Sequence, residues 1–400
     1  MIPFDDAVRI MIERVHALDA TRVPLAEALG CVLADDVASD VDMPPFDKSA
    51  MDGFAVVAAD LAEVPRSLRV VEDIPAGSVP TCVVKPGECA RIMTGAPVPE
   101  GADAVVMVED TSPGSTSDLV RFNKPVVSGR NVCVRAEDVA VGDIVLHAGH
   151  EVRPPEVAVL AACGCSQVSV IRKPSVAVLS TGNEVVPIHR TPDAGQIRDA
   201  NSHYVVARLG RMGIAVTALG IAADEPAALK AALAEGMEHD VLAVSGGVSM
   251  GDYDLVPGLL KELGAELFFE KVAMQPGKPT VFGRCGRTAV FGLPGNPVSV
   301  LTAGELFLVP AVRKMMGFQR LHTPRRTATL TARVKHRTGR IAHVPGIVAE
   351  TEDGWTVQPL TYHGSAHMHA LRAANCLIVL PADVAVVDAP AAVEIVELRV

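Results

Sequence analysis

Asp240-Val-Leu-Ala-Val-Ser245, running into Gly246-Gly247-Val-Ser249-Met-Gly-Asp252-Tyr-Asp254, is an apolar run that empties into glycines, serines and carboxylates. A continuous apolar stretch of this length, closed by small residues, reads as a strand buried on both faces of a parallel sheet. Glycines at such a strand end let backbone N–H groups approach an oxyanion, and Ser249 adds a hydroxyl donor. Asp252 and Asp254 offer oxygen to a hard cation. The pattern recurs twice: Val176-Ala-Val-Leu-Ser180 runs into Thr181-Gly182-Asn183-Glu184, and Thr288-Ala-Val-Phe291 runs into Gly292-Leu-Pro294-Gly295-Asn296-Pro297. Three strand ends of one character predict one shared pocket at the carboxyl edge of an α/β sheet.

Working outward, residues 174–317 alternate strand and helix as a parallel sheet demands. Helices are expected over Tyr204–Met212, closed by Gly213, over Glu225–Gly236, and over Val298–Met316 before Gly317. Upstream, Val8, Met11, Val15 and Leu18 fall on one helical face, Pro24–Leu33 reads as a second short helical piece, and Pro154–Ala162 as another. Between them lie short β-type runs, Ser67–Val71, Glu88–Met93, Ala104–Val108 and Leu119–Phe122, cut by Pro-Gly turns. Beyond residue 320 the period returns to two in Thr327–Val334 and Val393–Val400. The expected division is residues 1–39 with 143–172 as a helical and linker domain, 40–142 as a β-module, 173–320 as the α/β domain and 321–400 as a closing β-domain.

The composition narrows the function. Four hundred residues exceed one core, and 49% hydrophobic against 21% charged residues is the balance of a globular chain. A net charge of −11 argues against nucleic-acid binding, which needs a basic footprint. No apolar run reaches the roughly 18 residues of a membrane span, and the first residues lack a signal-peptide pattern, so a cytoplasmic protein is expected. Eight scattered cysteines without a CxxC pair read as reduced thiols.

Each motif has a plain reading beside the chemical one. Gly292–Pro297 and Gln275-Pro-Gly-Lys278-Pro279 build rigid turns by themselves; functionally they would place Ser299 and Lys278 against an anion. Glu184 and Asp254 could be solvated loop acids, but their position just past buried strands favours a metal or ligand. Pro44–Phe54 gathers acids, a serine and a lysine beside Met51 and Phe54, and Arg91-Ile-Met-Thr94-Gly-Ala-Pro97 ends a β-run with a hydroxyl. His363, His367 and His369 lack a helical frame and a fourth partner for a metal.

Ser49-Ala-Met-Asp52-Gly-Phe54, Thr94–Pro97, Ser180–Glu184, Ser245–Gly251, Pro276–Pro279 and Leu293–Ser299 occur here in the order seen in the MoeA family of molybdopterin molybdenumtransferases, which includes the gephyrin E domain. The resemblance covers nearly the whole chain. It implies a multidomain α/β plus β fold: a MogA-like three-layer α/β domain, an inserted β-module, an N-terminal helical domain and a C-terminal β-barrel-like domain. It also implies a transferase that inserts molybdate into adenylylated molybdopterin, cleaves the phosphoanhydride and releases AMP with Mg2+. The family resembled is homodimeric, with the cleft between the α/β domain and domains of the partner subunit, and it makes transient contact with other molybdenum cofactor enzymes.

Carried over by motif, Asp52, Thr94, Asp254 and Lys278 are the expected catalytic residues, and Glu184 with Asp254 the metal ligands. Ser180, Thr181, Gly182, Asp224, Ser245, Gly246, Gly247, Ser249, Pro294, Gly295, Asn296 and Ser299 would bind the substrates. The chain departs from the family at Gln275, where many members carry a second lysine, and at Gly364–His369, which replaces a more hydroxyl-rich pattern. Two other functions compete. A MogA-like adenylyltransferase would share the α/β domain but not the Ser-Ala-Met-Asp-Gly module, and a gephyrin-like scaffold would not need the acids and lysine that are present.

Overall fold

The structure, a computed structural model, describes residues 1–248, 255–361 and 363–398. Ser249 and Asp254 lie outside the described residues, as do Asp252 and the last two residues of the chain. The chain forms two compact units: residues 1–34, 149–153 and 168–400, and residues 35–148 with 154–167.

The larger unit is built on a six-stranded sheet in the order Val216–Ala222, Val176–Thr181, Val241–Ser245, Thr288–Leu293, Val281–Cys285 and Glu266–Phe269. The first four strands are mutually parallel, and Val281–Cys285 runs antiparallel to both of its neighbours. Alternate residues of the central strands face opposite ways. Val176, Val178, Val241, Ala243 and Phe291 pack with Met11, Leu209 and Phe307 on one face. Ala177, Leu179, Leu242, Val244 and Val290 pack with Leu229, Leu233 and Leu260 on the other. Helices therefore cover both faces, giving three layers. Register then sets the ends of the strands level: Ser180 pairs with Ile221 and Ser245, and Ser245 with Leu293.

The C-terminal part closes on itself. Ile341–Thr351, Gly354–Pro359, Arg325–Leu330, Ala391–Glu397 and Cys376–Leu380 pair in that order, and Cys376–Leu380 returns to pair with Ile341–Thr351. Five strands thus form a closed barrel, with the first half of Ile341–Thr351 left unpaired by Gly354–Pro359. Met274–Gln275 adds to it from the α/β part, pairing parallel with Ile341 and Ala342.

In the smaller unit a six-stranded sheet runs Ala104–Met107, Gly53–Val56, Glu88–Ile92, Arg66–Ile74, Leu119–Phe122 and Thr111–Pro113. Phe54, Leu68 and Phe122 fill one face and Ala55, Ile74 and Ile92 the other. Gly53 sits where only glycine fits, since a Cβ would lie 1.9 Å from the Val106 carbonyl oxygen.

Three local expectations change. The first helix spans Phe4–Arg14, burying Phe4, Ala7 and Met11, and ends before Val15 and Leu18. The Leu18 N–H donates instead to the Met315 carbonyl, a tertiary bond that replaces another helical turn. Pro24–Leu33 is a strand end, Ala20–Pro24, followed by a three-residue 3-10 turn; Gly30 at φ +73 stops any longer helix. The run Val298–Met316 is helical but carries a π segment, Gly304–Leu308, between Pro297–Ala303 and Val309–Met315. No helix among the described residues is long and apolar enough to cross a membrane.

Candidate active site

The three strand ends do converge. Ser180, Thr181, Gly182, Glu184, Ser245 and Gly246 line one cleft of about 830 Å³, together with Gly247, Asp224 and the turn Pro294–Asn296. The short residues are there chiefly so that the loops can approach one another. A Cβ at Gly246 would lie 2.5 Å from the Thr181 carbonyl oxygen, one at Gly247 2.9 Å from Thr181 Oγ1, and one at Gly182 2.6 Å from a Glu184 carboxylate oxygen. Gly246 at φ +95 and Gly247 at φ +64 also hold backbone conformations that side chains disfavour.

Two of the expected contact serines have their hydroxyls engaged within the protein. Ser180 Oγ donates to Asp199 at 2.9 Å, and Asn201 Nδ2 donates to Ser245 Oγ at 2.9 Å and to the Gly295 carbonyl at 2.7 Å. They fix the shape of the wall. Thr181 Oγ1 differs: it is buried, lies on the cleft and has no hydrogen-bond partner among the described residues. A buried hydroxyl left unpaired costs on the order of 1–3 kcal/mol, and a bound ligand would relieve it.

Asp199 and Asn201 were missed from the sequence. Asp199 accepts from Ser180 Oγ, from Ser202 Oγ at 2.5 Å and from the Ser202 N–H at 3.1 Å, which ties the strand end to the start of helix Asn201–Gly210. The polar cluster Asp199-Ala-Asn201-Ser202 ahead of an apolar periodic run was the available signal, a helix start. Asp224 and Asn183 exchange bonds of 3.2 and 3.1 Å, which closes the loop that bears Glu184.

Lys278 and Ser299 open onto an adjoining compartment of about 480 Å³, separated from the cleft by Pro294, Gly295 and Asn296. Gln275, Ser365 and Arg340 complete it. Arg340 was also missed, because it comes from the barrel, more than sixty positions after Gln275, and carries no local motif. Its Nη2 donates to Gln275 Oε1 at 3.4 Å. On the opposite wall Asn296 Nδ2 donates to Ser365 Oγ at 2.8 Å and the Val298 N–H to the Ser365 carbonyl at 3.0 Å, latching the barrel loop onto the helix that follows the turn. Two cations, two hydroxyls and an amide around one small space suit a tetrahedral dianion.

His367 and His369 line the cleft. The His363 and His367 rings stack at 5.3 Å, and His367 Nδ1 accepts from the His363 N–H at 3.3 Å. For Mg2+, Glu184 carries donors of the right class on the cleft. Among the described residues no three ligand side chains converge into a cage. Magnesium is commonly held by one or two carboxylates with substrate phosphates and water, so Glu184 fits it.

In the smaller unit the Asp52 and Thr94 motifs meet. Asp52 Oδ1 accepts from the Thr94 N–H at 2.7 Å and from Thr94 Oγ1 at 2.9 Å. The Gly95 N–H donates to the Ser49 carbonyl at 2.8 Å and Ser49 Oγ to the Met51 carbonyl at 2.5 Å, so the two loops are knitted together. The Thr94 backbone donor first, then its hydroxyl and the charge of Arg91, hold the Asp52 carboxyl below its usual value. Both bonds fall on Oδ1, leaving Oδ2 for a ligand.

Comparison with known proteins matches three stretches of the chain. Residues 2–164 match the MoeA N-terminal region (domain I and II), residues 177–314 the probable molybdopterin binding domain, and residues 327–398 the MoeA C-terminal region (domain IV). A molybdopterin molybdenumtransferase of Staphylococcus aureus is 35% identical over 385 residues, covering 95% of this chain and 91% of that relative. Molybdopterin molybdenumtransferase 2 of Mycobacterium tuberculosis is 37% identical over 400 residues, covering 98% of each. The crystal structure of a molybdopterin biosynthesis MoeA protein from Pyrococcus horikoshii is similar with TM-score 0.85 at 31% identity, over 100% of both chains.

Proposed function

Because this chain belongs to the MoeA family of molybdopterin molybdenumtransferases, we propose that the two adjoining compartments divide its substrates between them. The chain is a transferase that inserts molybdenum in molybdenum cofactor biosynthesis. Molybdate occupies the Lys278–Arg340 compartment, and adenylylated molybdopterin lies in the cleft behind the Pro294–Asn296 turn. The observation that carries this reading is the pairing itself: a compartment bearing Lys278 and Arg340 opens beside a cleft of three strand ends.

The residues then take distinct roles. Lys278 and Arg340 neutralise the dianion, while Ser299, the Gln275 amide and Ser365 donate to its oxygens. One oxo group leaves as water, with the two protons of the dithiol whose sulfurs take its place on the metal. Thr181 Oγ1 and the backbone at Gly182 and Gly246–Gly247 hold the phosphates, and Asp224 and Asn183 keep the Glu184 loop closed. Cleavage of the phosphoanhydride takes up one water, whose oxygen joins one phosphorus as the bridging oxygen leaves with the other. Glu184, with Asp254 by the resemblance, would hold Mg2+, which when bound would neutralise the charge that develops there. Asp52, kept ionised by Thr94, is the proposed catalytic carboxylate of the β-module.

The remaining parts of the reading come from the resemblance. The subunit has four domains, 1–39 with 143–172, 40–142, 173–320 and 321–400. It works as a homodimer in which the β-module serves the partner's cleft, and it contacts other molybdenum cofactor enzymes transiently. All eight cysteines are free thiols, which suits the reducing cytoplasm. The deciding experiment measures AMP release from adenylylated molybdopterin with and without molybdate. Molybdate-dependent release supports the reading, and release that ignores molybdate while ATP-dependent adenylylation appears would make the chain an adenylyltransferase instead.

A further inference from the structure

The cleft and the Lys278–Arg340 compartment share one wall, the turn Pro294–Asn296, and one side chain grips that wall from the cleft side. We infer that Asn201 is a positioning residue. By holding the Gly295 carbonyl toward the cleft, it turns the N–H of the same peptide, that of Asn296, toward the oxyanion in the other compartment. The inference rests on the molybdate reading above.

Both protons of the Asn201 amide are committed, to Ser245 Oγ at 2.9 Å and to the Gly295 carbonyl at 2.7 Å. Ser245 Oγ in turn lies 3.5 Å from the Pro294 carbonyl. Asn201 borders the cleft and does not line the compartment, so the Gly295 carbonyl is drawn to the cleft side. The Gly295–Asn296 peptide is trans, and in a planar trans peptide the carbonyl and the following N–H point to opposite sides. The Asn296 N–H is therefore directed to the side of Lys278, Ser299 and Arg340. It has no hydrogen-bond partner among the described residues, so it is available as a donor to an anion.

Local structure does not ask for this asparagine. The first turn of helix Asn201–Gly210 is already served by Asp199, which accepts from the Ser202 N–H, so the Asn201 amide is spare. The other end of that helix is tied by Arg208 and Tyr204 to Glu305, in the run that continues from the turn, and this fixes the span that the Asn201–Gly295 bond crosses. On the compartment side Asn296 Nδ2 holds Ser365 Oγ. Without Asn201 the wall keeps only that second tether. The Gly295–Asn296 peptide can then rotate and present an acceptor, its carbonyl, to a dianion.

The test uses molybdate alone as the probe, on the full chain. Calorimetry measures its binding to wild type, to Asn201→Asp, which keeps the shape but brings no N–H, and to Asn201→Leu, the uncharged counterpart. Hydrogen exchange resolved to single residues follows the segment 293–300 with and without molybdate. Both variants should bind molybdate about tenfold more weakly, the loss of one donor to a charged group. Molybdate should slow exchange of the Asn296 amide in wild type and in neither variant. In turnover the molybdate half-saturation should rise, while kcat at saturating molybdate and the affinity for adenylylated molybdopterin stay within about twofold. A side chain needed only for the fold would instead lower the melting temperature and kcat. An Asn296 amide left unprotected in wild type, an unchanged molybdate affinity in the variants, or a loss confined to pterin affinity overturns the inference, and the wild-type exchange decides alone if neither variant folds. Lys278→Ala checks the reading itself. Binding that ignores this change would move molybdate elsewhere and take the inference with it, whereas Lys278-dependent binding that the Asn201 variants leave intact would remove Asn201 and keep the compartment.

Discussion

Arg340 brings to the proposed oxyanion pocket a charge that its immediate neighbours do not announce. From the sequence, Gln275 looked like a weakness where relatives carry lysine; in the structure its Oε1 accepts from Arg340 and so helps orient a guanidinium. Losing one charge-assisted contact costs on the order of 1.5–3 kcal/mol, or about tenfold or more in affinity. Arg340→Met should therefore raise the molybdate concentration for half-maximal AMP release by at least that factor with little change in melting temperature, and an unchanged half-saturation would place molybdate elsewhere. Asp52→Ala should abolish AMP release and leave thermal stability nearly intact, since the side chain is exposed. Removing the Thr94 hydroxyl donor raises the Asp52 carboxyl toward its ordinary value, because that donor favours the charged form. In Thr94→Val the acid limb of the kcat profile should then move to higher pH, and a limb that stays in place would detach Asp52 from the chemistry. The site was legible wherever a motif was contiguous, as at Ser180–Glu184 and Pro294–Ser299, and illegible where a partner arrives from another domain, as Arg340 and Ser365 do.

At the scale of elements, the buried strands could be read because burial on both faces leaves unbroken apolar runs, and Val176–Thr181 and Val241–Ser245 are buried throughout. The π segment could not. One extra residue in a helical turn leaves no trace in an apolar pattern, yet it coincides with Glu305, held by Arg208 and Tyr204 from helix Asn201–Gly210. The Glu305 side chain is 4% exposed and that of Arg208 16%, so this ion pair is largely buried and its two ends depend on each other. Glu305→Leu alone strands the Arg208 charge and should cost about 3–5 kcal/mol, whereas adding Arg208→Met should recover most of it. Denaturant melts of the three variants check this, and a double variant no better than the single one would mean that the pair contributes through specific geometry.

For the molecule as a whole, acid sensitivity has a buried source in His343. It is 1% exposed, tilted at 5.2 Å from the Phe4 ring, and neither ring nitrogen has a partner among the described residues. Burial first, and then the charge of Arg325, push its pKa down to about 3 from 6.5. The unfolded chain thus binds a proton below pH 6.5 that the folded chain refuses until about pH 3, so stability falls as pH drops through that window. His343→Leu should flatten the slope by up to about 1.4 kcal/mol per pH unit, and equal slopes in urea melts would show that the ring is solvated. If the β-module serves the partner's cleft, mixing Asp52→Ala with Lys278→Ala subunits should restore some AMP release. No recovery after confirmed subunit exchange would put both residues in one subunit's site.

The two-residue pairing of Met274–Gln275 with Ile341 and Ala342 sews the turn before Lys278 into the barrel. It makes the C-terminal domain a poor cassette. Were its coding sequence exchanged with that of a distant relative, the newcomer would have to reproduce that seam as well as Arg340 and Ser365, so the barrel and the turn should be inherited together, and grafts should succeed only when both sides of the seam come from the same parent.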